Sequence, residues 1–112
     1  MSMSLAEKTC IPCKGGVPPL PDAEARRLLG QLSGWSLNAK GHLEKSYEFK
    51  GFRPGLEFVK RVGEMAEQQG HHPDVFLAWG KVTLEVWTHK INGLVESDFI
   101  FAAKADSLLE AP

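Results

Sequence analysis

Cysteine is almost missing from this chain. Only Cys10 and Cys13 occur, so a structural zinc would lack the second pair that a four-ligand site needs. Their Cys-x-x-Cys spacing falls in Thr9-Cys-Ile-Pro-Cys-Lys-Gly-Gly-Val-Pro-Pro. That is loop composition, not the start of a helix in a βαβ unit where a thioredoxin-like pair belongs. We read them as free thiols in a flexible arm, with zinc shared between subunits as the alternative. Long apolar runs are missing too. Nothing approaches the roughly 20 residues of a membrane span, and Met1-Ser-Met-Ser-Leu-Ala-Glu-Lys has no signal-peptide core. Neither sign of charge is in excess: the formal net charge is −1, which argues against nucleic acid or an anionic membrane as a partner. There is no phosphate loop, dinucleotide fingerprint, reactive Ser or Cys motif, internal repeat or low-complexity tract. What these absences leave is a soluble, cytoplasmic protein.

At 112 residues the chain has room for one small domain with one core. Residues 1–20 read as a flexible Pro/Gly-rich arm and 21–112 as the folded domain. Asp22 caps a first helix with Ala25, Leu28, Leu29 and Leu32 on its apolar face, closed by Ser33-Gly34. Trp35–Leu37 and Leu43–Phe49 read as strands joined by a turn at Asn38–Gly41. Leu43, Tyr47 and Phe49 share a face that Lys45 interrupts. Arg53-Pro54 opens a second helix with Leu56, Val59, Val62, Met65 and Ala66 as its stripe, ended by Gly70. Val75–Trp79 and Lys81–His89 read as a hairpin around Gly80. Its second strand points Val82, Leu84 and Val86 one way, and Thr83, Glu85, Trp87 and His89 the other. A last helix runs from about Val95 to Leu109. The order α-β-β-α-β-β-α predicts an α+β domain, a four-stranded antiparallel sheet with three helices on one face. The second face, carrying Trp87, needs cover or solvent.

Three histidines and two carboxylates stand out: Glu67-x-x-x-His71-His72-Pro73, then Thr88-His89, then Asp98. Imidazole titrates near neutral pH, so the cluster suggests proton transfer or metal binding. Pro73 stops the helix and holds His72 extended, so the two adjacent rings should diverge. Glu67, one turn before His71, can reach the same helix end. Each residue also has a plain structural role. The His pair can cap helix carbonyls, Asp98 can sit favourably in a first helical turn, and Glu67 can be a solvated helix residue. His42 receives no assignment. Adjacent His-His ligands fit one metal poorly, so we expect no metal, although a metal-dependent hydrolase is an alternative.

These residues, with Trp79, Val82 through Leu84, Gly93-Leu94 and Asp98-x-x-x-Ala102, resemble the signature of pterin-4a-carbinolamine dehydratases. The resemblance runs from about Pro19 to Leu108 and includes Gly34-Trp35 and the aromatics Tyr47, Phe49, Phe52 and Phe58. One departure is Val95, where the family often has a Thr or Ser helix cap; its loss costs about 1 kcal/mol. The resemblance implies the same α+β fold. It also implies dehydration of a 4a-hydroxytetrahydropterin to quinonoid dihydropterin, recycling the pterin after an aromatic amino acid hydroxylase has used it. By resemblance, His71 and His89 are the acid–base pair and His72 binds and orients the pterin. Glu67 and Asp98 support the histidines. Trp35, Trp79 and Thr88 join His72 in holding substrate, and no cofactor or metal is needed. The partners expected are the pterin and a second copy of the chain, as dimer or tetramer. The competing expectation is a non-catalytic assembly factor or dimerisation partner on the same scaffold.

Overall fold

The structure is a computed structural model that describes residues 5–8 and 18–110; Cys10 and Cys13 lie outside the described residues. Its main elements are α1 (Asp22–Leu29), β1 (Ser36–Leu37), β2 (Leu43–Glu48), α2 (Phe52–Gln69), β3 (Asp74–Ala78), β4 (Lys81–Val86) and α3 (Glu96–Ser107). The four strands form one antiparallel sheet in the order β1-β2-β4-β3. The fold is therefore the α+β arrangement expected, in the expected order. No helix among the described residues is long and apolar enough to cross a membrane.

The alternation read in the sequence sets the two sheet faces. Leu43 and Tyr47 of β2 and Val82, Leu84 and Val86 of β4 are buried, and their neighbours Ser46, Glu48, Thr83 and Glu85 turn the other way. Lys45 shares the inner face without disturbing it. Its ammonium bonds Asp106 and the Ser33 carbonyl, both at 2.8 Å. From the helices, Phe58, Val62, Met65 and Ala66 of α2 and Phe99, Ile100, Phe101, Ala102 and Ala105 of α3 complete the core. The buried stripe of α2 is rotated from the one expected. Phe58 replaces Leu56, which is exposed, because Gly55 presses against the sheet: a Cβ there would stand 3.3 Å from both Leu77 and Val82.

Three further differences concern where elements begin and end, the first of them at the site. β4 ends at Val86, not His89. Thr88 pairs with Gly93, folding the chain back, and His89–Ile91 form a single 3₁₀ turn. The last helix gives way after Ser107 to a 3₁₀ turn, Leu108–Glu110. Within the segment read as a flexible arm, Leu5–Glu7 form another such turn packed on α3. Leu5 is buried in the core, and Lys104 donates to the Ala6 carbonyl at 2.9 Å.

Candidate active site

α2 stops because Gly70 adopts the left-handed conformation (φ 64°), its N–H returning to the Ala66 carbonyl. The chain leaves the helix at once, and His71 and His72 point to different partners, as adjacent extended residues should. The His71 ring turns inward. It lies against Phe101, centroids 5.6 Å apart, and its Nε2 is 2.7 Å from Asp98 Oδ1. The His72 ring stays outside, more than half exposed, with its Nε2 on Glu67 Oε2. Glu67 thus serves His72. The i−4 spacing to His71 is on the helix, but Asp98 already occupies the His71 nitrogen.

Asp98 is completely buried. Its Oδ2 accepts the Thr88 hydroxyl and the Val95 N–H, each at 2.8 Å, while Oδ1 faces His71. One carboxylate thereby joins the end of α2, the segment after β4 and the start of α3. Val95 has no side chain to complete a reciprocal cap. The Asp98 N–H instead bonds the Val95 carbonyl at 3.1 Å. With Asp98 surrounded by donors, the His71 Nε2–H donates to Oδ1 and a neutral His71 ring keeps Nδ1 as acceptor, a tautomer assigned from the network.

His71, His72, Thr88 and His89 line one cleft of about 210 Å³ with Gly70, Trp87 and Lys90. His89 is exposed on its turn and stacks on Trp87, ring centroids 4.1 Å apart. Trp35 and Trp79 do not line this cleft. Trp35 is buried elsewhere, its indole N–H on Asp106 at 3.1 Å and its ring edge-on to Tyr47. Trp79 sits at the β3–β4 turn, the far end of the hairpin from His89, and is 76% exposed. Among the described residues no three His, Cys, Asp or Glu side chains converge as ligands for a metal ion.

The sequence reading missed His42 and the place of Trp87. His42 is 4% exposed, and its Nδ1 is 2.6 Å from Glu85 Oε2. The hydrogen bond from His42 holds the Glu85 carboxyl below its usual range, against the opposing effect of burial. His42 covers Trp87 by stacking on it. The available signal was register: Leu43 pairs with Val86, so the residues just beyond them, His42 and Trp87, face each other across the strands.

Comparison with known proteins shows the family and the fold. A family model described as "Pterin 4 alpha carbinolamine dehydratase" matches residues 18–108. A protein of Rubrobacter xylanophilus named "Putative pterin-4-alpha-carbinolamine dehydratase" is 58% identical over 104 residues, covering 93% of this chain and 97% of that one. A protein of the same name from Rickettsia bellii is 50% identical, covering 96% of each. Among solved structures, a "transcriptional coactivator/pterin dehydratase" from Brucella melitensis superposes with a TM-score of 0.77 at 29% identity, over 82% of this chain and 99% of that one. A pterin dehydratase-like protein described as a RuBisCO assembly factor shares the fold at a TM-score of 0.60 and 20% identity, over 71% and 94%.

Proposed function

Since the chain belongs to the pterin 4 alpha carbinolamine dehydratase family, we propose that it dehydrates a 4a-hydroxytetrahydropterin to quinonoid dihydropterin and water. The observation that carries this reading is the convergence of His71, His72 and His89 on one cleft, with His71 anchored to a buried carboxylate. In the reaction the C4a–O bond breaks. The hydroxyl takes a proton and leaves as water, and a ring N–H proton passes to a base. No electrons are gained or lost, so two imidazoles suffice for the proton traffic. His71 and His89 form that acid–base pair. Asp98 fixes the His71 tautomer, and Thr88 steadies Asp98 from the opposite strand end. His72, exposed and backed by Glu67, binds and orients the pterin ring. The reading includes self-association through the β3 edge.

A spectrophotometric dehydratase assay tests it. Wild-type protein should accelerate dehydration equally with and without chelator. His71→Ala and His89→Ala should each lower kcat by about 10²–10⁴-fold, the usual contribution of a general acid or base. His72→Ala should chiefly raise KM. Activity lost to chelator and restored by zinc would refute metal-free catalysis. Absence of turnover with any pterin carbinolamine would favour the non-catalytic role instead.

A further inference from the structure

His89 differs from the other two site histidines in what holds it. His71 rests on Asp98 and His72 on Glu67. Among the described residues, no carboxylate is bonded to the His89 ring; the ring lies on Trp87. The orientation of His89 therefore depends on the orientation of the indole.

Trp87 is held in turn by His42. The two rings are parallel to within 1°, with centroids 4.1 Å apart. His42 cannot drift, because Glu85 Oε2 meets its Nδ1 at 2.6 Å, and the Asn92 side-chain oxygen lies 3.3 Å from its Nε2. Asn92 closes the very turn that presents His89. It takes the left-handed conformation (φ 46°), and its backbone N–H bonds the His89 carbonyl at 3.3 Å. His42 thus reaches the His89 segment by two routes, one through stacked rings and one through the Asn92 amide.

We infer that His42 is a positioning residue for His89. Clamped by Glu85, it sets the Trp87 plane and the Asn92 turn that together aim the His89 imidazole into the cleft. The inference rests on the reading that His89 acts on the pterin, but its structural half can be measured separately. Misplacing a reacting group by about 1 Å can cost up to 10²-fold in rate, so an indirect support of this kind is worth roughly tenfold in kcat.

The test uses the full chain with ¹³C-labelled histidine. Stacking on Trp87 should shift the carbon-bound ring protons of His89 upfield through the indole ring current. In His42→Ala those signals should move toward free-imidazole positions, and kcat should fall about tenfold with KM nearly unchanged. His42→Phe, which keeps a ring over Trp87, should recover most of the His89 shift and of kcat. Asn92→Gly, which keeps the backbone conformation and loses the amide contact, should give an intermediate effect. If His42→Ala does not fold, the Phe and Gly variants decide the matter. Folded His42→Ala with unchanged His89 signals would overturn the inference. So would a loss of kcat that His42→Phe does not recover at all. If the wild-type protein turns over no pterin, the catalytic reading falls by itself and the NMR comparison still judges the positioning.

Discussion

Tyr47 is the chain's only tyrosine, and it shows how one side chain reports on the core. Its hydroxyl donates to Asp106 at 2.7 Å, beside the Lys45 ammonium and the Trp35 indole N–H on the same carboxylate. Burial, reinforced by the Asp106 hydrogen bond and charge, pushes the phenol well above its ordinary range. The folded pKa therefore exceeds the unfolded one. The associated stability is fully present below the ordinary phenol pKa of about 10 and is lost as pH climbs beyond it. In an alkaline titration, tyrosinate absorbance should appear only together with loss of the near-ultraviolet circular dichroism. Reversible ionisation near pH 10 with tertiary structure intact would contradict the buried network. Asp98 makes the opposite point. It occupies the first-turn position anticipated for it, and the same carboxylate that caps the helix through the Val95 N–H also anchors His71.

Among the elements, the end of α2 governs the site. Gly70 has φ 64°, a region where a Cβ costs roughly 1–2 kcal/mol. A Cβ there would meet no other group, so Gly70→Ala should be destabilising through backbone strain alone. Relief of that strain would turn the His71–His72 segment, separating His71 from Asp98. We expect Gly70→Ala to lower thermal stability and to depress kcat more than a distant substitution of equal stability cost. Unfolding curves and turnover measured on the same samples would show whether the two effects part. The other elements differ from expectation at their ends. His89 was read as the last residue of a strand, but the Thr88–Gly93 bridge lifts it onto a turn. A pattern of alternating residues cannot reveal where a chain folds back on itself, because the bridge depends on a partner five residues ahead.

At the scale of the whole molecule, most of the large apolar side chains exposed among the described residues lie along one sheet edge and one side of α2. Val75, Phe76 and Trp79 on and beside β3 are exposed, Phe76 at 57%, as are Phe52 and Leu56 of α2. β3 is an edge strand, with one row of backbone groups open to pairing. On the last helix, Phe99, Ala102 and Ala105 are covered by the chain's own sheet and helices. Association should therefore run through β3. Light scattering at micromolar concentration should give a multiple of the 12.3 kDa chain mass. Val75→Lys with Phe76→Lys should return it to the monomer, since charge on an edge strand opposes pairing. A wild-type monomer with full activity would rule out association as a requirement.

The element order, the inner faces of β2 and β4, the glycine that ends α2 and the grouping of Glu67, His71, His72, His89 and Asp98 were legible in the sequence, whereas the first helix ends at Leu29, short of the Gly34 expected to close it. Each rests on local periodicity, on backbone preferences of Gly and Pro, or on a motif short enough to survive as a string. Which partner each histidine takes was decided by the tertiary structure. Asp98 lies 27 residues from His71 and meets it only because the fold brings the start of α3 to the segment that follows α2. His42 and Glu85 are 43 residues apart and meet only through strand register. Trp35 and Trp79 were placed with the site by resemblance, yet packing carries one into the core and the other to the far end of the hairpin. Spacing along a chain constrains neighbours within a turn or a strand. Contacts across elements depend on how whole faces pack, and that information is spread over the entire core.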